Sequence, residues 1–331
     1  MLTLKRFYTI YLIVMLKFVL LGSLHGNDSV VFSPILKVVN SVVSWNIQGN
    51  RYYNTFDTET YIQEVSLEIA CQTSIPFDYF VTFSAPNNDY KRNLKNSNNQ
   101  LVYQLFKDPN QIHILKGRED VTQPDSILIG RFEANSPQIA TLNYYFSIPP
   151  LQLIAPGNYT DTLELKIYKG RWNDSDAVEI YSVPLHLVTT VNHQMEISLS
   201  SKNFLSSFSA SDNMYILDFG SAEPGKTKSF NLYSRSNTPY SICFESENNG
   251  VLQHDKIKNK SIETKIPYSI IINNIQLSLD SDRPKTVIDH RLPTDHTGVQ
   301  HTVDVTLNFK TIKEKIAGSY TDTIWITAIS N

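Results

Sequence analysis

Cysteine is nearly absent from this chain: Cys71 and Cys243 are the only two in 331 residues. Two cysteines in different halves exclude a dense disulfide framework and any paired Cys-x-x-Cys site. One bridge between them would tie the two halves together; the sequence predicts two separate, mostly buried thiols. Charge is also scarce, at 18% of residues, and the net charge is −3. That balance leaves no electrostatic footprint for nucleic acid. No stretch after the first two dozen residues has a 3.6-residue apolar period, and no second apolar run approaches membrane-spanning length. Gly-x-Ser-x-Gly and phosphate-cradling loops are missing. The densest His/Asp cluster is Asp289-His290, Asp295-His296 and His301 to Asp304. Its spacing fits no common zinc pattern, so it reads as a solvated loop. No enzyme, cofactor or metal is expected.

What is present begins with Lys5 and Arg6, followed by an apolar run from Phe7 to Leu21 and the small residues Gly22, Ser23 and Gly26. This reads as a signal peptide over residues 1–26, with cleavage between Gly22 and Asn27. A membrane anchor is the other reading, but the run is short and Lys17 interrupts it.

The rest of the chain reads as two copies of one unit. Ile75-Pro76-Phe77-Asp78-Tyr79-Phe80 matches Thr238-Pro239-Tyr240-Ser241-Ile242-Cys243, with the prolines at 76 and 239. Leu101-Val102-Tyr103 matches Ile266-Pro267-Tyr268, and Thr141-Leu142-Asn143-Tyr144 matches Thr306-Leu307-Asn308-Phe309. Gly157-Asn158-Tyr159-Thr160-Asp161-Thr162 returns as Gly318-Ser319-Tyr320-Thr321-Asp322-Thr323. Nearly constant spacing over such a length indicates a duplicated domain, not a solenoid. Within each copy, short alternating runs separated by Asn, Asp, Gly, Pro and Ser predict strands.

The copies end differently. After Tyr159 the first runs a strand to about Tyr168, a polar loop from Lys169 to Asp176, and then an alternating segment with Tyr181, Val183, Leu185 and Leu187 on one face. Pro184 in that segment suits an edge or a bulge. After Tyr320 the second copy shows one strand, with Ile324, Ile326 and Ala328 on one face and Trp325, Thr327 and Ile329 on the other. The expected architecture is all-β: two immunoglobulin-like β-sandwich domains in tandem, the second lacking its final strand. The domains are expected at 27–191 and 195–331, with 192–194 as linker. A sandwich short of a strand exposes an edge that another chain can fill. The expected strand-acceptor edge is Ile324, Trp325, Ile326 and Ile329. Position 27 maps near position 190, which leaves no room for a donor extension ahead of the first domain.

Leu217-Asp218-Phe219-Gly220, Pro239 to Cys243, Ala317 to Ile324, Ile148 to Gln152 and Ala155 to Thr162 together resemble the spore coat protein U domain family. That family includes subunits of archaic, Csu-type chaperone–usher pili. The resemblance implies a two-domain tip subunit with a complete, surface-binding first domain and an incomplete pilin second domain. It implies a periplasmic pilus chaperone, an outer-membrane usher and an adjacent pilin subunit as partners. It also implies passage through the periplasm to a fimbrium at the cell surface, with attachment and biofilm formation as the role. A non-adhesive structural pilus subunit, or a secreted coat protein of the same fold, is the alternative. A secreted enzyme or a eukaryotic cell-surface module of similar sandwich class is a further one.

Two residue sets follow. Gly157, Tyr159, Asp161 and Gly318, Tyr320, Asp322 are expected to shape a corner of each sandwich. The glycines would permit a tight turn, the tyrosines would bury a ring with the hydroxyl bonded, and the aspartates would cap local amides. Ile148, Pro149, Pro150, Leu151, Leu153 and Trp172 are the candidate surface contacts, being apolar or aromatic residues in loops. The surface ligand is not indicated.

Overall fold

Alternating apolar and polar residues build strands through more than half of the described residues. The computed structural model describes residues 35–38, 42–44, 52–84, 90–135, 137–201, 214–257, 261–280 and 283–330. The expected signal peptide and residues 27–34 lie outside the described residues. Ten strands precede residue 192: β1 (Ile35–Val38), β2 (Val42–Ser44), β3 (Tyr61–Gln72), β4 (Phe77–Phe83), β5 (Arg92–Asn96), β6 (Asn99–Phe106), β7 (Leu128–Phe132), β8 (Gln138–Ile148), β9 (Gly157–Lys169) and β10 (Val178–Val191). Ten follow: β11 (Met195–Ser201), β12 (Thr227–Ser236), β13 (Tyr240–Ser246), β14 (Val251–His254), β15 (Lys265–Ile272), β16 (Ile275–Leu277), β17 (Lys285–His290), β18 (Val299–Leu307), β19 (Tyr320–Thr321) and β20 (Ile324–Ser330). The only helical turns among the described residues are short 3-10 segments, and none is long and apolar enough to cross a membrane.

The strands form tandem β-sandwiches. In the first, β1, β3, β8 and β6 make one face, while β7, β4, β9, β10 and β2 make the other. β5 pairs with β6 and meets β9 at Lys95 and Thr160, which links the faces at one corner. Among the described strands every pairing is antiparallel except β10 with β2, and an isolated bridge between Tyr53 and Val191 is also parallel. In the second, the faces are β11-β12-β18-β15-β14-β19, with β16 beside β15, and β17-β13-β20.

Each sandwich has its own core. Leu67 and Ile69 of β3, Tyr144 and Phe146 of β8, Leu163 and Leu165 of β9, and Leu185 and Leu187 of β10 meet in the first. Phe230 and Leu232 of β12, Ile242 and Phe244 of β13, Ile270 of β15 and Val303 of β18 meet in the second. Period-two spacing puts these residues on the inward side of each pleat. Cys71 and Cys243 are separate, buried thiols.

Pro184 stands opposite Glu164 in the β9–β10 ladder. β2 pairs with β10 only at His186–Val188, so the missing amide of Pro184 falls where β10 has no strand on its other side among the described residues. His301 departs from the expectation of a solvated loop. It lies in β18 with its ring buried, because the period-two pattern of Val303, Val305 and Leu307 carries it inward.

Only Asn192, His193 and Gln194 separate β10 from β11. Gln194 is held from both sides. Its Oε1 accepts from the Thr55 amide and hydroxyl, both at 2.8 Å, and its Nε2 donates to the Tyr53 carbonyl at 3.2 Å. Its own amide donates to Asn237 Oδ1 at 2.9 Å, and its carbonyl accepts from Ser236 Oγ at 2.9 Å. Arg235, paired with Glu196, lies 4.6 Å over the Phe56 ring.

Candidate functional site

The two tyrosine phrases form matching corners. Tyr159 is fully buried and its hydroxyl donates to the Ala155 carbonyl at 2.6 Å; Tyr320 donates to the Ile316 carbonyl at 2.6 Å. Asp161 accepts from the Thr162 amide, and Asp322 accepts from the amides of Thr323 and Asn248. Each aspartate also accepts from a tyrosine hydroxyl across the sandwich at 2.5 Å: Tyr103 to Asp161 and Tyr268 to Asp322. Burial, reinforced by the carboxylate, pushes both phenols far above their ordinary range. The Tyr103 and Tyr268 roles were not singled out from sequence, although the two residues occupy matching strands. The glycines serve different ends. Gly157 has φ 147, and a Cβ there would lie 2.1 Å from Asn96 Nδ2. Gly318 has no such φ; a Cβ there would strike the His254 ring at 2.1 Å, and that ring packs edge-on against Tyr320.

From these corners the sandwiches diverge. β9 is paired on both sides, with β4 and with β10, the latter from Val178 opposite Lys169 to Val191 opposite Gly157. β20 is paired with β13, and no described strand pairs with its other edge. The inward residues record the difference. Leu163, Leu165 and Ile167 are closed off from solvent, while Ile324, Ile326 and Ala328 are half-buried. Across the gap Met195, Ile197 and Leu199 of β11 are half-buried too, against the same core. An apolar groove therefore runs between β11 and β20, where β10 lies in the first sandwich. Of the expected edge residues, Ile324 and Ile326 face the groove. Trp325, 61% exposed, and Ile329, 49% exposed, alternate onto the outer face and would flank an added strand.

The candidate surface contacts are not brought together. Ile148 is withdrawn from that set. It ends β8 on the inward side, after Tyr144 and Phe146, and is fully buried in the first core. Pro149 and Pro150 follow, with Leu151 and Leu153 exposed. This loop is fastened to the joint side of the sandwich. The Tyr53 hydroxyl donates to the Pro149 carbonyl and accepts from the Gln152 amide, and the Leu151 amide donates to the Asp57 carbonyl.

Trp172 lies at the other end of the β9–β10 ladder, roughly 40 Å from the joint at about 3.3 Å per residue. It is half-buried against Phe80, Ile127 and Tyr168. The Phe80 and Tyr168 rings stack at 5.0 Å, and the Arg118 guanidinium lies 5.2 Å over Phe80. Arg118 also donates to the carbonyls of Trp172 at 2.5 Å and Asp174 at 3.0 Å. A half-open cleft of about 310 Å³ lies beside the indole, lined by Asp78, Phe80, Ile129, Arg171 and Asn173 among others. Hydrogen bonding to Arg131, and then to Arg171, holds the Asp78 carboxyl below the usual carboxylate range. Among the described residues, no group of three or more His, Cys, Asp or Glu is placed to hold a metal ion.

No curated protein matches the chain. Residues 39–166 match the Spore Coat Protein U domain. The Spore Coat Protein U segment stops within β9 and so leaves out β10, the strand that closes the first sandwich. The solved structures similar to the chain include three that are described as adhesins or adhesion subunits. The CsuC–CsuE chaperone–tip adhesion subunit pre-assembly complex of Acinetobacter baumannii shares 13% identity over 89% of this chain and 99% of that one, with a TM-score of 0.44. The CupB6 tip adhesin of Pseudomonas aeruginosa shares 9% over 89% and 94%, with a TM-score of 0.35. The CFA/I adhesin CfaE of enterotoxigenic E. coli shares 12% over 88% and 93%, with a TM-score of 0.31.

Proposed function

We propose that the chain is an exported fimbrial subunit of the chaperone–usher type, in which residues 27–191 contact a surface and residues 195–331 accept a β-strand from another polypeptide. The observation that carries this reading is the groove between β11 and β20. The strand that shuts the first core has no described counterpart in the second, and three inward residues of β20 stay half-buried. An unpaired edge beside apolar side chains gains backbone hydrogen bonds and side-chain burial together when a strand is added. In this reading a periplasmic chaperone fills the groove in transit, the adjacent subunit fills it in the fibre, and an outer-membrane usher mediates the exchange. Surface attachment and biofilm formation follow from the first domain. Residues 1–26 serve as the export signal.

Expression of the chain in a periplasm without pilus proteins tests the groove. The expected result is proteolysis or aggregation that begins in the second sandwich, relieved by a co-expressed chaperone. A stable monomer whose two sandwiches resist protease equally would overturn the proposal. Deletion of residues 27–191 then separates the adhesive role from a purely structural one. Attachment is expected to disappear while fibres still assemble.

A further inference from the structure

We infer that the cleft beside Trp172, at the end of the first sandwich away from the joint, is a binding site for one pyranose-sized sugar residue at the end of a surface glycan. The inference rests on the surface-contacting role proposed above for residues 27–191, and names the ligand class.

The cleft has the size, the groups and the rigidity for such a ligand. Its 310 Å³ lies at the lower end of the range for small-molecule sites, enough for a single ring. The walls include Trp172 and Ile129, which offer apolar surface to the C–H face of a sugar. Polar groups of both kinds converge on it. Asp78 is an acceptor only, because its carboxyl is held ionised. Oδ1 takes one bond from Arg131 Nη1 at 2.9 Å, and Oδ2 takes one from Arg171 Nε at 3.4 Å, so each oxygen keeps a free lone pair. Arg171 carries further guanidinium donors on a side chain that is 73% exposed, and the Asn173 amide adds both a donor and an acceptor. A carboxylate beside an arginine and an amide matches the alternating donors and acceptors of a vicinal diol. A purely apolar ligand would leave these groups without use.

The loop that carries Trp172 is fixed before any ligand arrives. The Gly170 amide donates to the Asp78 carbonyl at 2.8 Å, the Arg171 amide donates to Asp174 Oδ2 at 2.9 Å, and Arg118 holds two loop carbonyls from beneath. A loop held this way loses little freedom on binding. Its place at the tip of the β9–β10 hairpin, remote from the second sandwich, leaves it free to meet a glycan.

The test applies the purified full chain to a panel of immobilised neutral and acidic mono- to tetrasaccharides, and separately to methylated glass. The expected result is retention on at least one saccharide, competed by the free sugar. Trp172→Ala and Asn173→Ala should each weaken retention at least tenfold, while Ile62→Ser, exposed on β3 in the opposite face of the sandwich, leaves it unchanged. Asn173 is exposed, so its substitution reports on binding without disturbing the core. Retention on no saccharide, or retention indifferent to both cleft variants, overturns the sugar site. If the chain then still holds methylated glass through residues 27–191, the surface-contacting role survives the loss of the sugar site. If neither surface holds it, both fail.

Discussion

Leu163 and Leu185 face each other across the ladder that closes the first sandwich. Ile324 stands at the same distance from its corner tyrosine as Leu163 does, and no described strand brings it a counterpart of Leu185. The same phrase therefore leads into a finished core in one sandwich and an unfinished one in the other.

A strand supplied in cis should finish the second core. Appending a copy of residues 170–191 after Asn331 provides the loop and the β10 sequence in the orientation used by the first sandwich. Moving three half-buried side chains to full burial contributes about 2–4 kcal/mol. The thermal midpoint of the second sandwich is expected to rise, and its protease sensitivity to fall. Leu185→Asp together with Leu187→Asp, made only in the appended copy, should cancel the gain. Equal stability of all three proteins would show that the groove accepts no strand.

Equivalent truncations should cost unequal amounts. Leu165→Ala opens a cavity in a closed core and is expected to cost about 2–5 kcal/mol. Ile326→Ala removes a side chain that is already half in solvent and should cost about 1–2 kcal/mol in the chain alone. Once the groove is filled, the Ile326→Ala cost should approach that of Leu165→Ala. Urea unfolding of the two variants, with and without the appended strand, measures the difference.

Removing either buried phenol hydroxyl leaves a carboxylate short of a partner. Tyr103→Phe and Tyr268→Phe are each expected to cost about 1.5–3 kcal/mol, the range for a hydrogen bond to a charged group. Each loss should be confined to its own sandwich, read from separate calorimetric transitions. Pairing Tyr268→Phe with Asp322→Asn should cost less than the two single losses combined.

The second sandwich should weaken in mild acid. His301 is buried between Ser234 Oγ, at 3.3 Å, and Asn273 Nδ2, at 2.8 Å, and His290 stacks on Tyr240 nearby. Burial, and then the His290 charge, lowers the His301 pKa from 6.5. In the window below 6.5 the unfolded chain therefore binds a proton that the folded chain refuses. Stability falls as pH drops from 6.5 toward the folded pKa, by at most about 1.4 kcal/mol per pH unit for one group. His301→Gln should flatten that slope, measured as urea midpoints between pH 5 and pH 7. An unchanged slope would remove His301 as its source.

The duplication was readable because corners and cores repeat their residue types. The Tyr-Thr-Asp-Thr phrases marked two corners, and alternation placed Ile324 and Ile326 on one face. Other features depend on contacts that spacing does not record. Ile148 looked like the start of an exposed apolar loop, but its place at the end of an inward-facing run in β8 buries it. His301 looked like part of a polar cluster, but a β period seats it in the core. Leu67 pairs with Leu142, whereas Phe230 at the matching place pairs with Val303. The Thr141–Tyr144 and Thr306–Phe309 phrases are therefore similar without being equivalent. The cleft at Trp172 draws on Asp78 and Ile129, which are far apart in the chain and meet through the β4–β7 ladder, beside the end of β9 that leads to Trp172.

The Gln194 clasp has a mechanical consequence. With only three connecting residues, one of them Gln194 bonded to both sandwiches, the joint has little slack in which to swivel. A tug between a glycan held near Trp172 and a neighbour seated on β20 would travel lengthwise through β9 and β10. Their cross-links would then be strained side by side in shear, the loading in which a β-ladder resists most, and not peeled apart one at a time.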